Sequence, residues 1–194
     1  MHHKKTPTAT DRLHKTDTLK LLLSGFTNQT TVKQKQIVCL IDALPNFHLI
    51  GLREIIYDPS RSYQIMDFYN ERKSINKKIN GQYRQAERRI VIFEFNSLRN
   101  LMEILYHEIG HYVYFNVINS SVKKTWVTEI YRESGNISKY ACTNASEGFA
   151  ETYATFLLEP QKLRTIHLKY AYMRDKVFGG FSINLANDHL DFSI

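Results

Sequence analysis

The sequence predicts an α+β fold, a single domain in which a small twisted mixed sheet supports two long helices. Segments with strand character come first along the chain and end in the run over residues 89–95. Two segments with helical periodicity follow, over residues 98–117 and 146–157. A length of 194 residues, 43% of them hydrophobic and 12% aromatic, suffices for one core and argues against global disorder.

The first 18 residues differ in composition from the rest of the chain. They are polar and basic and contain few large apolar side chains, so they cannot bury enough surface to offset the entropy of ordering. We therefore predict a flexible basic tail over residues 1–18 and a folded domain over residues 19–194.

Two helical segments are predicted at the start of this domain. Residues 19–25 form an apolar run that stops at Gly25, and we interpret it as a short helix turn. Residues 31–44 have apolar side chains at helical spacing, and Pro45 ends the pattern. The apolar side of this second segment consists of Val32, Ile37, Leu40, Ile41 and Leu44.

The next part of the chain has strand character. We expect residues 47–57 to form one strand, or two strands bent at Gly51. Residues 63–69 are a weaker strand candidate, and residues 71–78 have the composition of a charged loop.

The strongest strand signal lies just before the first long helix. Residues 82–95 are predicted to form a long strand, because β-branched and aromatic side chains concentrate over residues 89–95. We expect the region over residues 83–94 to be the sheet edge with which an extended peptide pairs.

The helix over residues 98–117 contains the pentapeptide H-E-I-G-H. Positions i and i+4 share one face of a helix, so His107 and His111 can bind a single metal ion. Glu108 follows the first of these ligands and can reach a metal-activated water as its general base. The pattern therefore predicts a catalytic zinc site.

Two further features bear on this helix. Its apolar stripe, which holds it against the core, consists of Leu101, Leu105, Ile109, Tyr112 and Val113. Gly110 costs a helix roughly 1 kcal/mol relative to alanine. We expect this glycine where another element packs closely against the helix.

The same pentapeptide also has an interpretation without a metal. His107 and His111 can be hydrogen-bonded polar groups on a half-buried helix, and Glu108 can be a surface carboxylate. Catalytic zinc usually has three protein ligands and one position for water. A third ligand elsewhere in the chain therefore favours the metal site.

The helix over residues 146–157 offers that ligand. Glu147 and Glu151 lie four residues apart, so both carboxylates can face the same partner helix. One can coordinate the metal while the other accepts the remaining N–H of a ligand histidine. The alternative is an ordinary acidic helix face.

The start and the buried side of this helix are also predicted, and either Asn144 or Ser146 can cap it. Its apolar stripe consists of Phe149, Tyr153, Phe156 and Leu157.

Taken together, the two segments resemble a known family. The histidine motif, followed by the run Y-A-C-T-N-A-S-E-G-F-A-E over residues 140–151, is similar to gluzincin metallopeptidases of the anthrax lethal factor catalytic-domain and Pro-Pro endopeptidase type. The similarity extends over residues 98–160, about a third of the chain. It implies a zincin-like domain, in which strands precede the metal-binding helix.

This resemblance also implies a role for each matching residue. His107, His111 and Glu147 would hold Zn²⁺, and Glu151 would support the site from behind a ligand. Tyr140, seven residues before the ligand carboxylate, would point at the substrate carbonyl.

The expected activity is that of a zinc-dependent endopeptidase acting on a protein or peptide substrate. Glu108 would take a proton from the attacking water and pass it to the leaving amine. Tyr140 would stabilise the developing oxyanion, a role worth about 2.7–4 kcal/mol in comparable sites. The zinc motifs do not identify the substrate, and a preference for Pro-Pro bonds does not transfer with them.

Two alternatives to this activity are considered, and the net charge of +7 suggests the first of them. One is a basic, nucleic-acid-associated protein, although the charges are dispersed and no recognised nucleic-acid motif accompanies them. The other is a catalytically silent zincin-fold interaction protein, against which the intact Glu108 argues. The dispersed basic residues considered are Lys33, Lys35, Arg72, Lys73, Lys77, Lys78, Arg84, Arg88 and Arg89.

No segment has the character of a Sec signal or a transmembrane helix. The default expectation is therefore the cytoplasm, with export by a specialised secretion system as the alternative. The two cysteines, Cys39 and Cys142, are too few for a disulfide framework and do not form a metal-type pair.

Overall fold

The computed structural model describes residues 12–15, 19–62, 79–132, 135 and 137–181, and these residues combine a mixed sheet with helices. The α+β class predicted from the sequence is confirmed. The strands are β1 (Arg12–Lys15), β2 (Leu19–Ser24), β3 (Glu54–Tyr57), β4 (Gly81–Arg84) and β5 (Arg89–Ile92).

The five strands form one sheet in the order β1-β2-β3-β5-β4. The central pairs β2–β3 and β3–β5 are parallel, whereas β1–β2 and β4–β5 are antiparallel. Among the described strands, β4 therefore occupies one edge of the sheet. The edge predicted over residues 83–94 is confirmed for its first strand only, because β5 lies between β3 and β4.

The prediction of a helix turn over residues 19–25 is wrong, because Leu19–Ser24 form β2. Leu21 and Leu23 are each 2% exposed, and the residues that follow them are only half-buried, which is the alternation of a strand. A short leucine run fits a helix or a strand equally well, and here pairing with β1 and β3 decides the conformation.

Strand β1 lies within the segment for which the sequence predicts a flexible tail. Its four residues, Arg12–Lys15, pair antiparallel with Leu19–Leu22 of β2. The rest of residues 1–18 lies outside the described part of the chain, as do the strand and the charged loop predicted over residues 63–69 and 71–78.

The prediction of one long strand over residues 82–95 is also wrong, because β4 and β5 form a hairpin. The turn between them is closed by the amide of Arg88, which donates to the carbonyl of Gln85 at 3.2 Å. Arg88 has a φ of 50°, a conformation in which turns more often place glycine or asparagine. The turn therefore lacks the residue types by which sequence analysis locates turns.

The strand predicted over residues 47–57 is confirmed only in its second half. A 3₁₀ turn occupies Asn46–His48, and Gly51 follows with a φ of 87°. Strand β3 begins only at Glu54. The bend predicted at Gly51 is therefore present, but it joins a turn to a strand.

The three long predicted helices are confirmed. The α-helices are α1 (Gln34–Asp42), α2 (Leu98–Tyr112), α3 (Ser120–Thr125), α4 (Ala145–Leu158), α5 (Pro160–Arg164) and α6 (His167–Tyr172). Helices α2, α3 and α6 each continue into a wider π-type turn. In the part of the chain that the structure describes, no helix combines the length and apolar character needed to cross a membrane.

Helices α2 and α4 pack against each other, and Gly110 sets how closely they approach. A Cβ atom at this position would lie 2.8 Å from Cα and 3.2 Å from the carbonyl oxygen of Ala150 on α4. The expectation that an element packs against this glycine is confirmed. The close approach brings the polar side chains of the two helices within contact distance.

Candidate metal centre

The first two residues of the centre come from α2, whose orientation is fixed by its apolar stripe. Leu101, Leu105, Ile109, Tyr112 and Val113 are all at most 1% exposed, as the helical spacing predicts. Ser97 caps the start of the helix by accepting the amide of Asn100. His107 and His111 then lie one turn apart, with side chains 15% and 12% exposed.

The third residue, Glu147, comes from the first turn of α4. Asn144 caps this helix, because its side-chain oxygen accepts the amides of Ser146 and Glu147, each at 3.0 Å. The cap directs the first turn of α4 towards α2. Glu147 Oε2 lies 3.2 Å from His107 Nε2 and 3.3 Å from His111 Nε2. The two Nε2 atoms are 3.1 Å apart.

These three atoms have the spacing that a tetrahedral metal ion requires. Zinc bonds of about 2.0–2.1 Å separate neighbouring ligand atoms by about 3.3–3.4 Å. The observed separations of 3.1–3.3 Å therefore fit one small cation.

The hydrogen bonding of the cluster also fits a cation. Among the described residues, Glu147 Oε2 and His111 Nδ1 are buried side-chain atoms without a hydrogen-bond partner. The contacts from Glu147 Oε2 to the two imidazoles therefore lack hydrogen-bond geometry. Burying an unsatisfied polar atom costs about 1–3 kcal/mol, and a metal ion would remove this cost for the carboxylate.

Glu151, one turn further along α4, contacts the other side of His107. Its Oε1 atom lies 3.1 Å from His107 Nδ1. If Nδ1 carries the proton and donates it to this carboxylate, the lone pair of Nε2 points towards Glu147 and His111. The contact thus favours the tautomer that a metal ligand needs.

The charges around His107 change its proton affinity. Burial by itself lowers the pKa of this imidazole, but the neighbouring carboxylates of Glu147, Glu151 and Glu108 raise it overall. Burial raises the pKa of Glu147, but the two neighbouring imidazoles lower it by more, so the pKa is lowered overall. The cluster is thus a concentration of negative charge that attracts either a proton or a metal cation.

Glu108 lies under strand β4, buried to 7% exposure. Its Oε2 atom accepts the backbone amide of Tyr83 at 2.7 Å. Gly81 makes this approach sterically feasible, because a Cβ atom there would lie 2.6 Å from Ile104 Cγ2 and 3.0 Å from Glu108 Cγ. Burial raises the pKa of Glu108, and the charges of the two histidines oppose that rise. A carboxylate with a raised pKa is a stronger base.

Tyr140 lies on the 3₁₀ turn Tyr140–Cys142 and is 37% exposed at the edge of the cluster. Its ring centroid is 5.9 Å from that of His107. The phenol hydroxyl is hydrogen-bonded to Glu147, and burial together with this carboxylate raises the pKa of Tyr140. The hydroxyl therefore stays protonated at neutral pH and can donate a hydrogen bond.

An aromatic surface borders the cluster on the side of β4. Phe115, 38% exposed, stacks at 6.4 Å on His111 and at 6.4 Å on Tyr83. The Tyr83 hydroxyl is held by the side-chain amide of Asn116. Strand β4 and the π-type turn that continues α2 thus form one aromatic wall beside the candidate ligands.

All six residues selected from the sequence lie in this one region. The structure brings together His107, Glu108, His111, Tyr140, Glu147 and Glu151. Sequence analysis did not find the contact of the Tyr83 amide, because a backbone group leaves no signal in the residue type. It also did not find Ser138, whose hydroxyl donates to Glu151 at 2.8 Å.

Two secondary observations concern residues outside this cluster. Cys39 and Cys142 are free thiols, and Cys142 is exposed. Arg84 and Arg89 form ion pairs with Glu87 and Glu54, which reduces the positive charge that they offer to a nucleic acid.

A scan of the chain against protein-family models gives no match, and a search of curated proteins gives no match either. The interpretation of the centre therefore depends on its own residues and geometry.

Proposed function

We propose that this protein is a zinc-dependent endopeptidase with a zincin-like domain. The observation that carries the proposal is the triangle of His107 Nε2, His111 Nε2 and Glu147 Oε2, with sides of 3.1–3.3 Å. Two imidazoles and one carboxylate are a usual ligand set for catalytic zinc, and this set leaves a fourth position for water.

Zinc at this centre would supply a Lewis acid that lowers the pKa of a coordinated water towards about 7. Glu108 follows the first ligand in sequence, and its raised pKa suits it to take the proton of the attacking water. The amide of Tyr83 holds its carboxylate in one orientation. Glu108 would then pass this proton to the leaving amine.

Tyr140 is the candidate donor to the oxyanion. Its hydroxyl is hydrogen-bonded to Glu147, and a substrate carbonyl near the cluster would compete for the same proton. The donor would then act on charge that develops only during the reaction, which is where such a hydrogen bond contributes most.

Strand β4 is the candidate binding edge for an extended peptide. The carbonyl of Asn80 accepts the amide of Phe93 on the β5 side, whereas the amide of Tyr83 points the other way, towards Glu108. In an antiparallel ladder alternate residues face the partner strand, so Gly81 and Tyr83 direct their backbone groups away from β5. Because the Tyr83 amide already donates to Glu108, we propose that a substrate strand adds to this edge through Gly81 and the carbonyl of Tyr83, beside the candidate ligands.

Cleavage mapping on a diverse peptide library tests the proposal. The zinc-loaded wild type should cut peptides, and Glu108→Gln should cut them about 10²–10⁴-fold more slowly while it keeps its zinc. Glutamine retains the size of the side chain and an oxygen that accepts the Tyr83 amide. The proposal is wrong if the zinc-loaded wild type cuts nothing in the library, or if the variant cuts equally fast.

A further inference from the structure

The hydroxyl group of Ser138 links the segment that carries Tyr140 to the metal centre. Its Oγ atom donates to Glu151 Oε2 at 2.8 Å and accepts the backbone amide of Ala141 at 3.0 Å. A serine hydroxyl can donate one hydrogen bond and accept others, so both contacts form at the same time.

On the side of α4, the link continues to a candidate ligand. Glu151 uses its other oxygen, Oε1, to contact His107 Nδ1 at 3.1 Å. Each carboxylate oxygen thus has its own partner, Ser138 on one side and His107 on the other. A carboxylate that is held at both oxygens has little freedom to rotate, and it fixes the imidazole that it contacts.

On the side of the loop, the link reaches the candidate oxyanion donor. Ala141 follows Tyr140 directly in the 3₁₀ turn, so the bond to its amide fixes the start of that turn on Ser138. The thiol of Cys142 also donates to the carbonyl of Ser138, at 3.4 Å.

A buried lysine anchors the same loop a few residues earlier. Lys169 on α6 is 0% exposed, and its ammonium group donates to the carbonyl of Gly135 at 2.9 Å. The backbone of the loop is thus attached to α6 at Gly135, and at Ser138 it is attached to α4. These two attachments hold the loop where the Ser138 hydroxyl can orient Glu151.

We propose that Ser138 is a positioning residue that couples the Tyr140 turn to His107 through Glu151. The inference rests on the proposed zinc peptidase function, because its consequences are weaker metal binding and slower catalysis. Ser138 reaches His107 through Glu151, so its loss should act through the geometry of the centre. Loss of a residue that directly contacts a ligand typically weakens metal binding by about 10–100-fold. Ser138 lies one contact further away, and we expect about 3–10-fold.

The test compares the wild type with Ser138→Ala, Ser138→Thr and Ser97→Ala. Threonine keeps the hydroxyl on a side chain that is only half-buried. Ser97→Ala is the matched control, because it removes one serine hydroxyl that caps α2, the helix of the ligand histidines. Three properties are measured: zinc affinity by chelator competition, the visible spectrum of the Co²⁺-loaded protein, and kcat and KM separately.

Ser138→Ala should bind zinc about 3–10-fold more weakly, change the Co²⁺ spectrum and lower kcat with little change in KM. Ser138→Thr should restore all three properties. Ser97→Ala should lower the melting temperature and leave zinc affinity, spectrum and kcat unchanged. The inference is overturned if Ser138→Ala matches the wild type in zinc affinity and spectrum, if threonine fails to restore them, or if Ser97→Ala changes them equally.

Zinc binding and peptide cleavage by the wild type distinguish a failure of this inference from a failure of the proposed function. If the wild type binds zinc but cuts no peptide, the endopeptidase proposal fails, and the affinity and the spectrum still decide the role of Ser138. If the wild type binds neither zinc nor Co²⁺, both the inference and the endopeptidase proposal are overturned.

Discussion

Helix α4 contacts histidines in two regions of the molecule, and their environments are opposite. On one side Tyr153 contacts His48, which is 0% exposed and hydrogen-bonded at both ring nitrogens. The partners of His48 are the Tyr153 hydroxyl and the carbonyl of Val177, each at 2.9 Å. On the other side Glu147 approaches His107 and His111, where Glu147 Oε2 and His111 Nδ1 have no hydrogen-bond partner among the described residues.

The pKa values of the histidines also differ between the two regions. Burial lowers the pKa of His48 to about 4, and the bond to the Val177 carbonyl only partly opposes this. At His107 burial also lowers the pKa, but the surrounding carboxylates raise it overall. A buried histidine therefore does not by itself indicate a functional site. The carboxylates that face it and the atoms left without partners distinguish a candidate ligand from a structural residue.

The largest expected difference between the two regions is in metal binding. His111→Ala removes one of three ligand atoms, so its zinc affinity should fall by more than the 10–100-fold typical of losing an outer partner. His48→Gln should leave zinc affinity unchanged, because its partners are a tyrosine hydroxyl and a carbonyl. Chelator competition on both variants measures the contrast. Equal losses of zinc affinity in the two variants would contradict the assignment of His111 as a ligand and His48 as a structural residue.

The next effect is on stability at acid pH. The neutral form of His48 is favoured in the fold, so its contribution is complete above pH 6.5 and is lost as the pH falls towards 4. A shift from 6.5 to about 4 corresponds to about 3 kcal/mol of unfolding free energy. Urea unfolding of the metal-free protein between pH 4 and pH 7 measures this loss.

His48→Gln serves as the control for this titration. Glutamine keeps a donor and an acceptor but does not titrate between pH 4 and pH 7, so the unfolding free energy of the variant should depend less on pH by about 3 kcal/mol over this range. If wild type and variant lose stability in parallel, His48 is not the group responsible.

The smallest effect concerns the close contact between α2 and α4 at Gly110. Gly110→Ala would place a Cβ atom 2.8 Å from Cα of Ala150, and such overpacking typically costs about 1–3 kcal/mol. Alanine recovers roughly 1 kcal/mol of helix propensity, so we expect a net loss of about 1 kcal/mol in the metal-free protein. Urea denaturation should show no such loss for Gly135→Ala, because nothing lies within 4 Å of a Cβ atom there. A stabilised Gly110→Ala protein would contradict the close packing.

The helices and the candidate ligands could be predicted from the sequence because their signals are local. The stripe from Leu101 to Val113 fixes which face of α2 is buried, and spacing alone then places His107 and His111 together. Asn144, one of the two cap residues predicted from the sequence, caps α4. Residues at fixed offsets within one helix need no knowledge of the rest of the fold.

The strands and the outer contacts could not be predicted because they depend on distant partners. Residues 19–24 form a strand through pairing with β1 and β3, and the hairpin turn at Arg88 contains none of the usual turn residues. The contact of the Tyr83 amide with Glu108 and that of Ser138 with Glu151 each join residues from separate elements. Only the packed structure brings such groups together.

Zinc stoichiometry in Glu147→Ala and Glu151→Ala decides whether Glu147 is the third ligand. We expect one tightly bound zinc per chain in the wild type, none in Glu147→Ala, and one that is bound more weakly in Glu151→Ala. Elemental analysis after dialysis against a weak chelator gives these numbers without any substrate. If Glu147→Ala keeps one tight zinc per chain, the carboxylate assigned as the third ligand is wrong, and Glu151 takes its place.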